Sequence, residues 1–297
     1  FYSLPSALSG RIENSNEFMS PQNSHETWVR LTNDLGLDFR YLTSTLLKSG
    51  ELNNEKFSVL LLPMTQAISP EEAAVIRAFA EDGGTVIADV RPGVYDGHCK
   101  PVTPGVLDDL FGVERTGRGK ASETAVLVKG QLGDEALSVE MGPARVDTEV
   151  KAGGATAMGS AGETPVRLVN KVGKGREVLM NFQLLSGKAE GSQAAAAREL
   201  VGRLYRAAGA RAPIEAASPN GEPLPQTETR VWANGGALVC GLWRRMENEC
   251  FGPKTGTIAG EPVPARVTLP VDSHVYDLRA GKYLGRVSRV DTELRWG

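Results

Sequence analysis

Apolar and polar residues fall into separate blocks between Phe57 and Arg91, and these blocks predict a strand, a helix and a second strand. Phe57 to Leu62 is a nearly continuous apolar run, which is typical of a strand buried on both faces of a parallel sheet. Ser69 to Glu72 reads as a capped helix start with proline in the first turn, and Gly83-Gly84 ends the helix. Thr85 to Val90 is the second buried strand. Two parallel strands joined by a helix make a right-handed βαβ unit, so we expect the rest of this domain to be layered on it.

The chain before this unit predicts further alternating elements. Phe1 to Ala7 reads as the end of a first strand, and Ser9 to Asn23 as a surface loop. Ser24 to Leu35 has helical spacing, and Asp38 to Thr43 reads as a strand. At least four strands would then alternate with helices. This order is typical of a flavodoxin-like, doubly wound α/β sheet of the kind found in class I glutamine amidotransferases.

After Arg91 the pattern changes to a β-rich insertion and then returns to α/β order. Residues 116–161 are rich in Gly, Thr and Val in short runs that predict antiparallel strands. Val166 to Val169 and Glu177 to Phe182 are apolar strands around the turn Gly173-Lys174-Gly175. That turn resembles a phosphate loop only superficially because no helix follows it, so we interpret it as a hairpin turn. The helix Ser192 to Ala208 would close a first domain of residues 1–211.

The end of the chain predicts a small second domain of antiparallel strands. Residues 212–226 contain four prolines and read as a linker. In residues 227–297 the apolar period is two, and Asn234-Gly235 is a strong hairpin signal. The pattern predicts a small antiparallel β-sandwich. Its strands are expected at Glu228 to Ala233, Ala237 to Trp243, Ala265 to Leu269, His274 to Leu278 and Tyr283 to Val287.

The amino-acid composition argues against nucleic acid and anionic membranes as binding partners. The net charge of the 297 residues is -3, and no dense Lys/Arg stretch offers a footprint for nucleic acid or an anionic membrane. No apolar run approaches the roughly 18 to 20 residues of a membrane span. Cys99, Cys240 and Cys250 are too scattered for a metal site; a Cys240–Cys250 bridge is one interpretation, and free thiols are the one we favour. We expect no metal and no cofactor.

Ligands of doubly wound sheets bind at the carboxyl ends of the strands, which directs attention to the loops after Leu62 and Val90. Asp89, Arg91, Asp96 and His98 follow the second strand and could form a polar site for a sugar hydroxyl or a metal. The alternative, which we favour, is that Asp89 and Arg91 bind backbone at the strand end and that Asp96 belongs to an ordinary turn.

Amidotransferase chemistry would need a cysteine on a sharp turn after a buried strand, with a histidine and a glutamate supplied later in the domain. The turn after the second strand reads ADVRPG and holds no cysteine. Cys99 is adjacent to His98, and side chains of adjacent residues in an extended chain point apart. A cysteine without a base is not an active nucleophile at neutral pH. We therefore predict no catalytic residue in this chain.

Trp232 and Trp243 lie on the same face of the predicted hairpin. They could form a platform for carbohydrate. Packing in the core of the β domain is the interpretation that we favour.

Four stretches carry a resemblance to a known family: YSLPS at the start, LLLPMTQAISPEEAAVIRAFAEDGGTVIADVRPGVYDGH followed by GVLDDLFGV, VGKGREVLMNF, and VYDLRAGKYLGRV. Together they resemble the amidotransferase-like trimerisation module and C-terminal β domain of β-galactosidase-type glycoside hydrolases, especially family 42. The resemblance implies a scaffold without the amidotransferase nucleophile that packs against neighbouring subunits and helps to wall the active-site cleft. It also implies that the catalytic glutamates lie on an upstream (β/α)8 barrel.

The function predicted from the sequence is therefore a non-catalytic accessory and oligomerisation region of a glycoside hydrolase. The chain opens at Phe1 without Met and stops at Gly297, which leads us to expect an internal piece of a larger polypeptide. The expected partners are an upstream barrel in the same polypeptide and further copies of the chain. Two alternatives stay open at this point: a carbohydrate-binding module, and a hydrolase or amidotransferase with an unrecognised site.

Overall fold

The computed structural model describes residues 1–12, 18, 20–54, 57–117, 121–132, 135–184, 192–222, 224, 227–244 and 262–295. The chain divides into two compact units. The first comprises Phe1–Trp28 and Arg40–Ala210, and the second comprises Val29–Phe39 and Arg211–Gly297. The helices are α1 (Leu4–Ile12), α2 (Pro21–Asp34), α3 (Ser44–Lys48), α4 (Glu51–Asn54), α5 (Pro70–Glu81), α6 (Asp108–Phe111) and α7 (Ser192–Ala207).

Within the described residues, the strands form five sheets of two to five strands. They are β1 (Val59–Leu62), β2 (Thr85–Ala88), β3 (Val113–Arg115), β4 (Ala121–Leu132), β5 (Glu135–Asp147), β6 (Val150–Ala152), β7 (Thr156–Ala157), β8 (Ser160–Ala161), β9 (Thr164–Pro165), β10 (Arg167–Asn170), β11 (Arg176–Met180), β12 (Glu215–Ala217), β13 (Thr227–Asn234), β14 (Ala237–Arg244), β15 (Val263–Asp277) and β16 (Lys282–Leu294).

The central sheet of the first unit has the strand order β1-β2-β11-β10-β7. β1, β2 and β11 are parallel, whereas β10 and β7 are antiparallel to their neighbours. The predicted βαβ unit is confirmed. The Ser69 hydroxyl accepts a bond of 3.3 Å from the Glu72 amide, and the Glu72 carboxylate accepts one of 2.8 Å from the Ser69 amide. This reciprocal pair fixes the first residue of α5.

The main core lies on one face of this sheet, between the strands and helices α5 and α6. Strand residues Leu62, Val86 and Leu179 pack there with Ile76 of α5 and Phe111 of α6, and all five are buried. Burial of such side chains is the principal stabilising contribution, at about 1.5 to 3 kcal/mol for each. The core thereby holds helix α5 against the two strands that it connects, β1 and β2.

The prediction of a strand over Phe1 to Ala7 was wrong. Tyr2 forms a single parallel bridge with Thr43, and α1 begins at Leu4. The predicted strand Asp38 to Thr43 contributes only that same bridge. The predicted loop Ser9 to Asn23 was wrong at both ends, because α1 runs to Ile12 and α2 begins at Pro21; residues 13–17 and 19 lie outside the described residues. The fold is thus a mixed α/β arrangement in which three strands of the central sheet are parallel.

The β-rich segment after Arg91 consists mainly of one long antiparallel hairpin. β4 and β5 pair along their length, and β8 and β9 extend the sheet in the order β5-β4-β8-β9. β10 and β11 are also an antiparallel pair, joined by Gly173-Lys174-Gly175, as a hairpin turn requires. The Lys174 amide donates to the carbonyl of Glu81 at 3.1 Å, so this turn also covers the carboxyl end of α5.

The second unit holds a three-stranded sheet, β12-β15-β16, and the two-stranded sheet β13-β14. Leu242 of β14 packs with Ala265 of β15 and Leu294 of β16, so the two sheets share a small core. β12 lies within the stretch predicted as a linker and pairs with β15. Two predicted strands, Ala265 to Leu269 and His274 to Leu278, are parts of the single strand β15.

Details of the β13–β14 hairpin differ from the sequence-based prediction. Asn234 pairs with Ala237, so the two residues of the turn are Gly235 and Gly236 rather than Asn234 and Gly235. Trp232 and Trp243 are 55% and 54% exposed, so the prediction that they pack in a core was wrong. The physical reason is that β13 and β14 form a sheet of only two strands, and on the face that carries both indoles the contacts of Asp38 and Phe39 reach Arg230 but leave the indoles exposed.

Cys99 and Cys240 are free thiols. Cys250, the other half of the bridge considered above, lies outside the described residues.

Candidate functional site

Asp89, the first predicted site residue, is buried just after β2 at the carboxyl edge of the central sheet. Its Oδ2 accepts bonds from the Ser24 hydroxyl at 2.6 Å and from the Trp28 indole at 3.2 Å. Its Oδ1 accepts a short bond from the backbone amide of Met64, in the loop after β1. Burial raises the pKa of Asp89 to about 6, although these three donors favour the ionised form. The carboxylate therefore ties α2 and the β1 loop to β2.

Arg91, the second predicted residue, begins a buried network of charges. Its Nε lies 3.0 Å from Oδ2 of Asp147, and its guanidinium lies 4.7 Å from the ring centroid of Phe18. The same Asp147 oxygen lies 3.0 Å from Nη1 of Arg115, whose Nε is 2.8 Å from Asp108. All four charged groups are buried, so removal of one would leave another without its partner in a medium of low dielectric.

The backbone around this edge adopts conformations that are uncommon for residues with side chains. Met64 has φ of 41° and Arg91 has φ of 57°. Left-handed residues other than glycine carry local strain and persist where the surroundings determine them. Here the hydrogen bond from the Met64 amide to Asp89 holds the backbone of Met64 in this conformation. The ion pair of Arg91 with Asp147 does the same for Arg91.

Asp96 and His98, the other two predicted residues, share one turn. The Asp96 carboxylate accepts bonds from the amides of His98 at 2.8 Å and Lys100 at 2.9 Å. The bond from the Lys100 amide is the largest of the favourable contributions, and the pKa of Asp96 is lowered. The His98 side chain is exposed. Cys99 follows, and its thiol donates to the carbonyl of Pro5 at 3.4 Å.

The four predicted residues therefore fall into two pairs with different surroundings. Asp89 and Arg91 already serve buried hydrogen bonds and ion pairs, and both side chains are closed to solvent. Asp96 and His98 lie nearer the surface in a turn of the type seen at many loops. A joint ligand site of all four stays a prediction.

A cavity of about 610 Å³ opens at the opposite, amino-terminal edge of the central sheet. Lys171, Lys174 and Arg176 line it together with Thr85 and Thr156, and no carboxylate is among its lining residues. α5 and α7 both end at this edge, and Ala207 and Ala208 form part of the wall. Cations near helix carboxyl ends are stabilised by the helix dipole, which accounts for this concentration of positive charge.

Glu177 in β11 is an unusual buried acid. It is closed to solvent, and neither carboxylate oxygen has a hydrogen-bond partner among the described residues. Burial raises its pKa to about 7. A buried carboxylate without partners is costly in its charged form, so the side chain carries a proton through the acidic range.

Helix α1 has the reverse of the usual distribution of polar and apolar side chains. Ser3, Ser6 and Ser9 are buried, and the hydroxyl of Ser6 both accepts from the Ala67 amide at 2.8 Å and lies 2.9 Å from the Ser3 hydroxyl. The Ser3 hydroxyl donates to the Ala67 carbonyl at 2.8 Å. Leucines at positions 4 and 8 are exposed on the other side of the helix.

The second unit exposes several aromatic side chains on its strands. On the β13–β14 hairpin, the ring of Trp232 lies over Gly241, where an added Cβ would come within 3.1 Å of it. On the β15–β16 hairpin, the rings of Tyr276 and Tyr283 lie 4.9 Å apart, and Nδ1 of His274 is 2.7 Å from the Tyr283 hydroxyl. These are surface clusters rather than core packing.

Most of the residues that organise the carboxyl edge of the sheet cannot be recognised from the sequence. Nothing in the sequence pairs Asp147 with Arg91 or Asp89 with Trp28, because each pair is separated by more than fifty positions. The serines at positions 3, 6 and 9 did carry a signal, since a spacing of three places them on one helical face.

The described residues contain no group of three or more His, Cys, Asp or Glu side chains arranged to hold a metal ion. Across the same residues, no helix has the length and apolar character needed to cross a membrane.

The chain is similar in structure to β-galactosidases of glycoside hydrolase family 42. Gan42B of G. stearothermophilus matches with a TM-score of 0.62 and 15% identity over 96% of this chain and 36% of its own. The enzyme of Bacillus circulans sp. alkalophilus matches at 0.61 and 13%, over 95% and 37% of the two chains. That of Rahnella sp. R3 matches at 0.60 and 15%, over 90% and 34%. The chain thus spans about a third of the length of these enzymes. At such identities the likeness is one of fold.

Sequence comparison assigns the family. The β-galactosidase trimerisation domain family matches residues 13–211, which is more than half of the chain. The chain therefore belongs to the β-galactosidase trimerisation domain family. Among curated proteins, no sequence matches it significantly.

Proposed function

We propose that this chain is the assembly module of a glycoside hydrolase of the β-galactosidase type. The observation that carries the proposal is the family match over residues 13–211. In this role the module joins copies of the enzyme and helps to shape the active-site cleft. Hydrolysis is carried out by a (β/α)8 domain of the same polypeptide. The share of about a third that the chain covers in family 42 enzymes supports this division of labour.

Three buried acidic residues of the first unit are unsuited to the role of glycosidase carboxyl groups. Retaining and inverting glycosidases need two carboxyl groups that flank an accessible glycosidic bond. Asp89 and Asp147 are buried and engaged, and Glu177 is closed to solvent. None of these three can reach a sugar without rearrangement of the core.

The test is the molar mass of the chain by light scattering across a concentration series, with glycosidase turnover assayed on the same sample. We expect a trimer that forms as concentration rises and that has no turnover. A strict monomer at every concentration, or turnover by the chain alone, would contradict the proposal.

The architecture that we propose for this module has two domains. Residues 1–211 form an amidotransferase-like, flavodoxin-like domain with a β-rich insertion over 116–161. Residues 212–226 join it to a β-sandwich of 227–297. The parallel strands β1, β2 and β11 and the shared core around Leu242 support this division. Expression of residues 1–211 alone tests the boundary, and cooperative unfolding of that piece is the expected result.

Carbohydrate binding is the second candidate function, and the open face of the β13–β14 hairpin favours it. Trp232 and Trp243 present large aromatic surfaces to solvent on one face. Arg230 lies between them along β13, and Glu228 lies directly opposite Trp243. Aromatic surfaces with a few polar groups are typical of small-molecule sites. Titration of galactose and galacto-oligosaccharides into the chain tests this candidate. Weaker binding in Trp232→Ala would support it, and equal binding would count against this face.

The same titration addresses the predicted site at the carboxyl edge. We propose Asp96 and His98 as its accessible part and Asp89 and Arg91 as the buried residues behind them. Asp96→Asn disturbs the turn, and His98→Ala removes an exposed imidazole. Reduced sugar affinity in His98→Ala, with unchanged thermal stability, is the outcome expected of a binding site there.

A further inference from the structure

The cavity at the amino-terminal edge of the central sheet brings three cationic side chains to one volume. Lys171, Lys174 and Arg176 all line it, and all three residues are exposed to solvent. We call it the cationic cavity. Its volume of about 610 Å³ falls within the range of about 300 to 1,000 Å³ that is usual for small-molecule sites. Every residue that lines it belongs to the first unit, so the cationic cavity is a pocket of one folded unit.

Two of the three cations lack an anionic partner. Within the part of the chain that the structure describes, neither Lys171 nor Arg176 forms an ion pair. Lys174 lies 3.9 Å from Asp82, but the two side chains are 80% and 91% exposed, so this pair is weak. Glu177 follows Arg176 in β11, and neighbouring strand residues point to opposite faces of the sheet. The cationic cavity therefore keeps a net positive charge.

The carboxyl ends of α5 and α7 favour these cations without neutralising them. Each helix end carries about half a negative charge, so the two ends together offset about one of the three positive charges. Their terminal carbonyls are already bonded by backbone amides. The Glu81 carbonyl accepts from the Lys174 amide at 3.1 Å, and the Arg206 carbonyl accepts from the Gly209 amide at 3.1 Å. The three cationic side chains are thus available to a ligand.

Thr85 adds a buried hydroxyl to the same cavity. It is 8% exposed and lines the cavity at the start of β2, directly opposite Arg176 in the pairing of β2 with β11. The Thr85 amide donates to the Ser58 carbonyl at 2.9 Å, but the hydroxyl has no hydrogen-bond partner among the described residues. Most polar groups buried to this degree do have a partner. A ligand in the cationic cavity would supply one.

We propose that the cationic cavity binds the phosphate group of a small molecule, a role separate from the assembly of the enzyme. A phosphate monoester carries a charge of about -1.5 to -2 at neutral pH and three strong acceptor oxygens. Three cations and a hydroxyl match such a group better than they match a carboxylate, which carries a single charge. Lysine and arginine are also the side chains that most often bind phosphate.

This site differs from a phosphate loop in the groups that it uses. A phosphate loop binds with backbone amides at the start of a helix. Here the Lys174 amide is engaged by the Glu81 carbonyl, and the turn Gly173-Lys174-Gly175 joins two strands. Lys174 therefore contributes its ammonium group to the site. The ligand is recognised by side chains of β2, of β11 and of the turn between β10 and β11.

The experiment is isothermal titration calorimetry on the whole chain in a phosphate-free buffer at constant ionic strength. The probes are inorganic phosphate and galactose 6-phosphate, and galactose serves as an uncharged competitor. We expect saturable binding of both charged probes at one site, with no displacement by galactose. Equal affinity for the two probes would identify free phosphate as the ligand, whereas tighter binding of galactose 6-phosphate would identify a sugar phosphate.

Three variants locate the site. Lys171→Gln/Arg176→Gln removes two exposed charges and should weaken binding at least about tenfold, because hydrogen bonds to charged groups contribute at this level. Thr85→Val removes the hydroxyl without a change of charge and should weaken binding about fivefold. The matched control, Lys282→Gln/Arg286→Gln, removes two exposed charges from the second unit and should bind as the wild type does.

The results that would overturn the proposal are specific. Wild type without saturable binding of either charged probe at millimolar concentrations would do so, and so would unchanged affinity in Lys171→Gln/Arg176→Gln. An equal loss in the control would show that binding follows net charge alone. Unchanged affinity in Thr85→Val would overturn the placement of the phosphate beside that hydroxyl. If Thr85→Val does not fold, the exposed double variant and its control decide. None of these results depends on the oligomeric state, so the assembly role stands or fails separately.

Discussion

Asp147 and Arg91 form a buried ion pair that joins the end of β5 to the loop after β2, with 3.0 Å between the carboxylate Oδ2 and the guanidinium Nε. The same oxygen also accepts from Arg115 at 3.0 Å. One carboxylate oxygen thus bridges two guanidinium groups at the carboxyl edge of the sheet, and Asp108 supplies the second negative charge of the network. The long β4–β5 hairpin is held to the central sheet at this point.

Asp147→Asn should strongly destabilise the protein. The substitution keeps the shape of the side chain but leaves Arg91 buried without its charge partner, a change that costs about 3 to 5 kcal/mol. Urea denaturation followed by circular dichroism measures the loss as a lower midpoint. The control is Asp291→Asn, which breaks an exposed pair with Arg266 and should leave the midpoint almost unchanged. Equal midpoints for Asp147→Asn and wild type would show that the network contributes nothing.

Glu177 should make stability fall as pH rises from about 4.5 to about 7. Its folded-state pKa of about 7 lies above the ordinary value of 4.5, so over this range the folded state binds the proton more tightly than the unfolded state. The stabilisation is complete below pH 4.5 and is lost as pH rises through 7. Glu177→Gln should therefore be more stable than wild type at pH 8, by up to about 3 kcal/mol, and similar to it at pH 4.5.

The measurement is the free energy of unfolding of both proteins from urea titrations at pH 4.5 and pH 8. Glu140→Gln, on the exposed side of β5, is the matched control and should change stability little at either pH. A Glu177→Gln variant that is less stable than wild type at pH 8 would mean that the carboxylate is needed in its charged form. Asp89, with a pKa raised to about 6, adds a fall of the same sign between about pH 4 and pH 6.

Gly175→Ala should disrupt the contact between the β10–β11 turn and helix α5. A Cβ on Gly175 would lie 2.1 Å from the carbonyl oxygen of Ala80, and backbone cannot yield as a flexible side chain does. We expect a loss of about 1 to 3 kcal/mol, seen as a lower thermal midpoint. Gly154→Ala is the control, because a Cβ there meets no atom within 4 Å. The explanation fails if the two variants melt at the same temperature.

Local signals in the sequence were sufficient to predict the βαβ unit. Ser69, Pro70 and Glu72 specify the start of α5 within four residues, and each bond that they predict is present. The apolar blocks around Leu62 and Val86 likewise determine strands whose partners lie one crossover apart. These elements depend on interactions between residues that are close in sequence, and a sequence pattern can predict such interactions.

Where the prediction was wrong, a distant residue decides the structure. Ser3 and Ser6 stabilise α1 through Ala67, which is 64 and 61 positions away, so an opening that reads as strand is helical. Trp232 and Trp243 fit the pattern of a core, but whether a strand face is covered depends on the number of sheets packed there. The sequence pattern located Asp89 and Arg91 at the end of β2. Their buried partners Trp28 and Asp147 are distant in sequence and are identified only in the folded structure.

The place of β11 in the central sheet has a consequence for biosynthesis. β11 lies between β2 and β10 in the sheet, but it follows strands β3 to β9 in the sequence. Those strands are therefore translated before β11. While the chain grows from the ribosome, β1 and β2 can pair around α5, but the neighbouring edge of β2 stays open until β11 has emerged. An open strand edge is a template for wrong pairing, and long-range parallel pairing is slow. Nascent chains that stall during translation of β3 to β9 would be the ones that most require a chaperone.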